Sequence, residues 1–434
     1  MITSIARQSL LLINALVAAV WLPVILDTVL DLRTVRTIIL HSPVSNQFLF
    51  IEYVPTWLRG SLTDEETMLM EHGMIHRTED RTPVSRETFE NALPFIYSEG
   101  MRLRGLVPVT INGQDYDLDA LRRGKTILGI SAADPSRARL APALHALLDT
   151  RPDRVSLTFP EDRFRLRDKL EFVNADSNSP DPELSEVFNQ ALTQAGFNFP
   201  ARNAFGRDMV LKPWDAGWFL LDAKGDLFNL RREHDRPLVR RVKLPEGCRV
   251  AHVQVQESRD KNVAALLVSD KREVMVIGFD MTIRGLHCPD YDPSRHDLKV
   301  VLDPVGETCV VDSASQATAL WRPTGQTGPV ANLNLGVPSG EPGPGQILSW
   351  LLAPVRLTLS PDNTVFVAPR LDTGGGWSLL GSLIWGMGGA ARIGRKQGLR
   401  PVISALIWGS AGGVAGTLSA CLWQLAKSGE SDQR

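Results

Sequence analysis

A short phrase, Leu-Ile-Trp-Gly followed by small residues, occurs twice near the C-terminus, at 383–389 and 406–413. Each copy lies in a stretch without charged residues, 373–391 and 401–426. A transmembrane helix needs about 20 mainly apolar residues, because every backbone polar group must be satisfied inside the helix. The two stretches therefore predict a transmembrane helical hairpin.

The opposite end of the chain carries a third uncharged stretch, residues 8–26. Its apolar character continues to Leu30, with Asp27 as the one interruption. A cleaved signal peptide has an apolar core of only about 7–15 residues, so an uncleaved anchor is the preferred interpretation and a signal peptide the alternative. The lipid bilayer is then a partner at both ends of the chain.

Positive charge predicts the orientation. The loop between the two C-terminal stretches carries Arg392, Arg395, Lys396 and Arg400. Because Lys and Arg are retained on the cytoplasmic side, this loop and the N-terminus are expected in the cytoplasm and the large polar region outside. Arg33 and Arg36, just past the first stretch, weigh mildly the other way.

Glycines recur through the second arm of the hairpin. They let two helix backbones approach closely where lipid supplies no hydrophobic drive for association. Either the two arms pack on each other, or the arm docks onto another membrane protein. The predicted packing residues are Gly409, Gly412, Gly413 and Gly416.

The fold class expected is an α+β membrane-anchored protein. We expect an N-terminal transmembrane anchor over 1–36, a mixed α/β extracytoplasmic domain over 37–210, a β-rich propeller-like domain over 211–371, and a glycine-rich transmembrane hairpin and tail over 372–434. Apolar residues at helical spacing between Pro182 and Gly196 predict an amphipathic helix.

The β-rich part is predicted from repeated strand–turn–strand patterns. Two pairs, 218–221 with 227–230 and 264–268 with 274–279, flank short polar turns, and similar turns recur at 322–325 and 360–363. Hairpins at this regular spacing suggest blades of a small or incomplete β-propeller. A β-sandwich is the alternative.

Composition excludes some functions. A formal net charge of -2 with 22% charged residues argues against a nucleic-acid partner, which needs a clustered basic excess. Of the four cysteines, Cys421 lies in the last apolar stretch, leaving Cys248, Cys288 and Cys309. Buried reduced thiols are the preferred interpretation, and one bridge, between Cys288 and Cys309, remains open.

Two strings carry possible metal ligands. His287, Cys288 and His296 lie in one loop-like segment and could converge on a transition metal, although Pro289 and Pro293 suit an ordinary loop. In a second string, thioether and imidazole side chains occupy every second position, at Met68, Met70, His72, Met74 and His76. On a strand they would share one face and could bind a soft metal ion. The alternative is that these side chains pack or face solvent.

No nucleotide-binding, hydrolase or metalloprotease motif is present in the sequence. We therefore expect neither enzymatic activity nor a cofactor. Aromatic side chains are the remaining candidates for binding. Trp214, Trp218 and Trp321 could line a face for a ligand or partner, with burial in a core as the alternative.

Several strings together resemble an uncharacterised bacterial family known only as a domain of unknown function. They span most of residues 40–230 and include 42–44, 85–97, 170–173, 195–201 and the Lys-Pro-Trp-Asp-Ala-Gly-Trp string that begins at Lys212. The resemblance implies an anchored extracytoplasmic domain, often encoded beside ABC-transporter components, in the bacterial inner membrane with the large domain in the periplasm. It implies no catalytic residues.

The leading functional hypothesis is a non-enzymatic, membrane-anchored extracytoplasmic binding or accessory protein, associated with ABC-transporter subunits. One alternative is a membrane-tethered metal-handling protein or enzyme that uses the 287–296 loop. Another is a scaffold of the cell envelope.

Overall fold

A long apolar helix, α1 (Ile2–Val29), opens the chain and contains Pro23. The structure is a computed structural model. It describes residues 2–29, 36–132, 144–151, 156–313, 316–336, 344–359, 369–394 and 399–431.

The segment after α1 forms an antiparallel sheet with short helices beside it. The strands pair in the order β1-β2-β3-β4. The Ser85 hydroxyl accepts a hydrogen bond from the Thr88 amide and caps a short helix. The elements are β1 (Arg36–His41), β2 (Phe48–Tyr53), a 3₁₀ turn (Thr56–Ser61), α2 (Asp64–Leu69), β3 (Met74–Arg77), β4 (Pro83–Val84), α3 (Arg86–Asn91) and α4 (Ser98–Leu103).

Short strands follow. Asn112 and Gly113 join the first two of them with φ of 51° and 79°, the positive values that a type I′ hairpin turn requires. The elements are β5 (Val109–Ile111), β6 (Gln114–Tyr116), α5 (Leu118–Arg123), β7 (Thr126–Ile130), β8 (Asp149–Thr150), β9 (Asp162–Leu166), β10 (Leu170–Asn174) and β11 (Ser179–Asp181).

The amphipathic helix predicted from Pro182 is present as α6 (Pro182–Gln194). The Asp181 carboxylate accepts a hydrogen bond from the Leu184 amide at its start, and Gly196 follows its end with a φ of 89°. The Asn189 side chain bonds both the amide and the carbonyl of Leu170, which joins α6 to β10. The prediction is confirmed.

Three antiparallel meanders make up the β-rich part. The predicted turns after Leu221 and Ser269 connect neighbouring strands as expected. The strands are β12 (Asn203–Phe205), β13 (Trp218–Leu221), β14 (Leu227–Glu233) and β15 (Arg236–Val242) in the first; β16 (Val250–Val255), β17 (Val263–Ser269), β18 (Val274–Gly278) and β19 (Ile283–Gly285) in the second; β20 (Asp297–Leu302), β21 (Gly306–Asp312), β22 (Gln316–Pro323) and β23 (Ala331–Gly336) in the third.

Each meander shares a hydrophobic core with the next. Phe219 of the first meander and Leu267 of the second belong to one core. Leu266, on the opposite face of β17, belongs to another core together with Val300 of the third meander. Side chains alternate across a strand, so both faces of β17 are buried. The third meander also packs against the first sheet of the chain, where Trp321 meets Phe50.

Three strands from the predicted mixed domain, β7, β8 and β12, belong to these meanders. β7 pairs antiparallel with β20, and β8 pairs parallel with β14. Sheets therefore cross the boundary that the sequence pattern suggested at residue 210. The predicted turn at 360–363 lies outside the described residues.

The C-terminal part returns to helices. Among the described residues, two helices, one near each end of the chain, are long and apolar enough to cross a membrane, over Leu12–Val29 and Val402–Cys421. The elements here are α7 (Pro344–Leu352), β24 (Val355–Leu359), β25 (Pro369–Thr373), α8 (Gly376–Gly394) and α9 (Leu399–Ser431).

α8 and α9 form a helical hairpin whose arms are joined by hydrogen bonds. The Ser382 hydroxyl donates to the Ser410 carbonyl at 2.9 Å, and the Ser410 hydroxyl donates back to the Ser382 carbonyl at 3.2 Å. One turn further along α8, the Thr417 hydroxyl donates to the Trp385 carbonyl at 3.0 Å. The mixed α/β class with apolar terminal helices is thus what the sequence predicted.

Candidate functional site

The three tryptophans predicted to share a binding face lie in three different cores, each 6% exposed. The Trp214 indole donates to the Ser258 carbonyl at 2.7 Å, and the Trp218 indole donates to the Ala146 carbonyl at 2.8 Å. Trp321 stacks on the His41 ring, with centroids 4.0 Å apart. The structure therefore does not bring these indoles to one surface, because each fills a separate core.

The structure gives separate surroundings to His287, Cys288 and His296, the three candidate metal ligands of the predicted loop. His296 Nδ1 accepts a hydrogen bond from the Asp292 amide within the loop. The Cys288 sulfur instead faces Cys309 on β21, at 2.6 Å, and His287 is exposed. In the part of the chain that the structure describes, no group of three or more His, Cys, Asp or Glu side chains is placed to hold a metal ion.

The alternating Met and His string does not form one strand. Met68 lies on α2, His72 lies in a turn with a φ of 51°, and only Met74 and His76 belong to β3. His76 is buried against Phe89. The one-strand expectation is therefore wrong, because Thr63 and Glu66 form a capping box that starts a helix instead.

A buried ionic cluster lies beside the first meander, in the string that begins at Lys212. The Lys212 ammonium bonds Asp215 at 2.5 Å, Glu257 at 2.9 Å and the Arg207 carbonyl at 3.1 Å. These three acceptors use the three protons of the ammonium group. Asp215 also accepts from the Gly217 amide, so the cluster holds the start of β13 in place.

Asp208 is a further buried carboxyl group next to this cluster. Burial raises the pKa of its carboxyl to about 6, against the opposing effect of the Ala146 amide that it accepts from. Sequence reasoning did not single out this cluster. The available signal was two opposite charges, Lys212 and Asp215, on either side of Trp214 in a stretch that is otherwise apolar.

A polar cleft of about 680 Å³ opens between α5, the second meander and the third. Three cations line it, Arg123, Lys261 and Arg284, together with Asp280 and Asp303. Arg284 is also paired with Glu307. Burial raises the pKa of Asp303 to about 6, although its carboxylate accepts from two backbone amides. The cleft offers positive charge and hydrogen-bond donors to a polar ligand.

A second cluster lies where the end of α1 meets α7 and β24. The Arg356 guanidinium stacks over the Trp350 ring at 3.7 Å, lies 3.8 Å from the Asp27 carboxylate and donates to the Ser349 hydroxyl at 2.6 Å. A cavity of about 570 Å³ beside it is lined by α1 on one side and by β24 and β25 on the other.

The predicted packing glycines contact several parts of the same chain. A Cβ at Gly409 would lie 2.5 Å from the Trp385 carbonyl oxygen of α8. At Gly412 a Cβ would meet Ala15 of α1 at 3.8 Å. Gly413, with a φ of 56°, breaks α9 where the Leu352 carbonyl approaches, and Gly416, beyond the break, lies against the Trp408 carbonyl of the part before it.

The fold and these clusters define a mixed α/β protein with an apolar helix at each end. The chain belongs to the DUF4857 family, whose model, described as a domain of unknown function, matches residues 38–320. The match covers the four large antiparallel sheets, except the last strand of the third meander, and leaves both apolar ends outside. No curated protein matches the chain.

Proposed function

We propose that this protein is a membrane-anchored, non-enzymatic accessory protein. In this proposal α1, α8 and α9 hold it in a bacterial inner membrane, and the family domain forms an extracytoplasmic head that binds a partner or ligand.

The observation that carries the proposal is that helices from opposite ends of the chain meet in one apolar bundle. Only 17% of Leu12–Val29 and 28% of Val402–Cys421 are buried within the protein, so neither resembles the core helix of a water-soluble domain. Large exposed apolar surfaces are unfavourable in water and suit lipid. The exposed side chains include Leu12, Ile13, Leu16, Val17, Leu383, Ile384, Met387, Ile403, Leu406 and Ile407.

The direction in which the chain runs through α1 and α8 supports an extracytoplasmic position for the head. α1 leads into the head, α8 leaves it, and α9 begins after residues 395–398, at the end of the hairpin far from the head. Arg392, in the last turn of α8, therefore lies on the same side as the start of α1. Positive charge is retained in the cytoplasm, which would place the head outside.

The stacked meanders support a propeller-like arrangement of the β-rich part, with each antiparallel sheet as a blade and a shared core between successive sheets. The polar cleft between α5 and two of these sheets is then a candidate ligand site. Its lining of both cations and carboxylates favours a polar ligand.

The proposed partner is an ABC-type transport complex, a role that rests on the resemblance of residues 40–230. The bundle contributes an exposed apolar surface in the plane of the membrane. Gly388 on α8 has no atom within 4 Å of a Cβ added to it, so that position is open to a neighbour.

The direct test is affinity purification of the tagged full chain from its native host in mild detergent. We expect recovery of an ATP-binding subunit together with its membrane-spanning partner. A matched variant, Gly388→Trp, adds bulk at the open position and should reduce that recovery if α8 faces the complex. Recovery of the chain alone, in repeated preparations, would contradict the proposal.

A further inference from the structure

Two cysteine sulfurs meet between the second and third meanders. Cys288 lies in the loop between β19 and β20, and Cys309 lies in the middle of β21 with 1% of its surface exposed. Their Sγ atoms are 2.6 Å apart. Both belong to the core in which Tyr291, Val300 and Val311 also pack.

This separation is too short for two independent thiols. Nonbonded heavy atoms settle at roughly 3.5–4.0 Å even when they are the smaller carbon atoms. A disulfide bond has a length of about 2.05 Å. The backbones of the loop and of β21 therefore already bring the two sulfurs almost to bonding distance.

We propose that Cys288 and Cys309 form an intramolecular disulfide bond that ties the 286–296 loop to β21. The bond would join a loop held by few regular hydrogen bonds to a strand that is paired on both sides, with β20 and with β22. Its effect is to fix the position of the loop over the core between the two meanders.

The oxidant is a disulfide-bearing donor, such as a thiol–disulfide oxidoreductase of an oxidising compartment. Cys288, half-buried in the loop, attacks one donor sulfur and releases the other as a thiol. Cys309 then displaces the donor from the mixed disulfide. The S–S bond forms, the donor disulfide is reduced to two thiols, and the two protons of Cys288 and Cys309 end on the donor.

The reduced pair is expected to react slowly. The contact with Cys309, followed by burial, raises the pKa of the Cys288 thiol well above its ordinary value. The thiolate is the attacking species, so exchange should accelerate as the pH rises. Cys248 and Cys421 are not in contact with this pair, which leaves them as thiols for comparison.

The experiment counts free thiols in the full chain, purified in detergent, incubated with oxidised dithiothreitol, then denatured and alkylated with a maleimide. The chain has four cysteines, so the bond predicts two alkylated sites before reduction and four after. Cys288→Ser should show three sites in both conditions. The control Cys248→Ser should show one before reduction and three after.

Four alkylated sites in the oxidised wild-type chain would overturn the proposal, as would a protected pair that survives in Cys288→Ser. The same count in acid-quenched cells tests the proposed orientation separately. Two sites in the purified chain but four in quenched cells would support the bond and contradict an extracytoplasmic head, because disulfides persist in oxidising compartments.

Discussion

At the residue scale, the Lys212 side chain is 1% exposed between two carboxylates, Asp215 and Glu257, that are 4% and 0% exposed. Charges buried to this degree are costly unless paired and fully hydrogen-bonded. The cluster meets that condition, since each proton of the ammonium has an acceptor. Removing Lys212 would leave the buried Asp215 carboxylate without its ammonium partner, whereas Glu257 would keep Arg207 at 3.3 Å.

Lys212→Met should therefore lower the free energy of unfolding by about 3–5 kcal/mol, the usual cost of breaking a buried ion pair from one side. Chemical denaturation of the purified protein measures it. Lys224→Met is the matched control, because Lys224 is exposed in a turn and its replacement should change stability by less than about 0.5 kcal/mol. Equal effects of the two substitutions would contradict this role for Lys212.

His41 is a second buried polar residue, with no hydrogen-bond partner for either ring nitrogen among the described residues. It lies between Phe48 and Trp321. Burial lowers its pKa from 6.5 to about 4. The native state therefore keeps the ring neutral down to a pH at which the unfolded chain is already protonated.

The resulting pH dependence has a defined sign. As pH falls from 6.5 to 4 the unfolded chain binds a proton that native His41 does not, so stability is lost, by about 1.4 kcal/mol per pH unit at most. His41→Phe removes this loss. The stability of the variant relative to wild type should rise as pH falls through that window, in unfolding measured at several pH values.

Other buried groups titrate in the same range. Burial lowers the pKa of His145 to about 4, whereas Asp208 and Asp303, with pKa raised to about 6, gain native stability on acidification. These groups are present in the wild type and in His41→Phe, so their contributions to the pH dependence of stability cancel when the two are compared. A relative stability that stays constant between pH 6.5 and 4 would contradict the assignment to His41.

At the scale of elements, close approach defines the hairpin of α8 and α9. Gly386 and Gly409 lie against the opposite arm, and the paired Ser382 and Ser410 hydroxyls bond across it. Gly388 points into open space. Glycines around the repeated phrase therefore differ in whether they contact the other arm. The same substitution made at Gly409 and at Gly388 distinguishes the two cases.

Gly409→Val should destabilise the hairpin by about 1–3 kcal/mol, because the added carbons meet the Trp385 carbonyl at contact distances below the ordinary range. Gly388→Val adds the same carbons where nothing is within 4 Å and should be tolerated. Thermal unfolding of the two variants in the same detergent measures the difference. A larger loss in Gly388→Val would show that the arms pack through another face.

At the scale of the whole molecule, strands distant in sequence close the head. β7 completes the third meander at β20, and Gln256 of the second meander accepts from the Gly129 amide of β7 at 2.7 Å. The first sheet packs on the same meander from its other face. The head is thus stabilised as one set of stacked sheets that leads directly into the apolar bundle.

The proposed orientation predicts the result of a topology map. Reporters that are active only outside the cytoplasm should be active after Arg36 and inactive within 392–400, because positive charge keeps that loop inside. Reporters with the opposite compartment preference serve as the control. An active signal from the 392–400 fusion would place the head in the cytoplasm.

Local signals were sufficient for several elements. The cap at Asp181 with Gly196 delimits α6, Asn112-Gly113 determines the β5–β6 turn, and the apolar stretches around the doubled phrase form α8 and α9. Such signals act within a few residues of each other, so they can be recognised without knowing the fold. The prediction that the Met and His string forms one strand was wrong, because the capping box of Thr63 and Glu66 starts a helix despite the period-two spacing.

By itself, the sequence determined several helices and turns, among them α6 and the two arms of the C-terminal hairpin, and that both ends of the chain are apolar, since capping, periodicity and hydropathy are local properties. Only the tertiary structure decided that the three tryptophans occupy separate cores, that Lys212 meets Glu257, and that Cys288 meets Cys309. Those contacts depend on how sheets stack across long sequence separations, and no short-range pattern encodes that pairing.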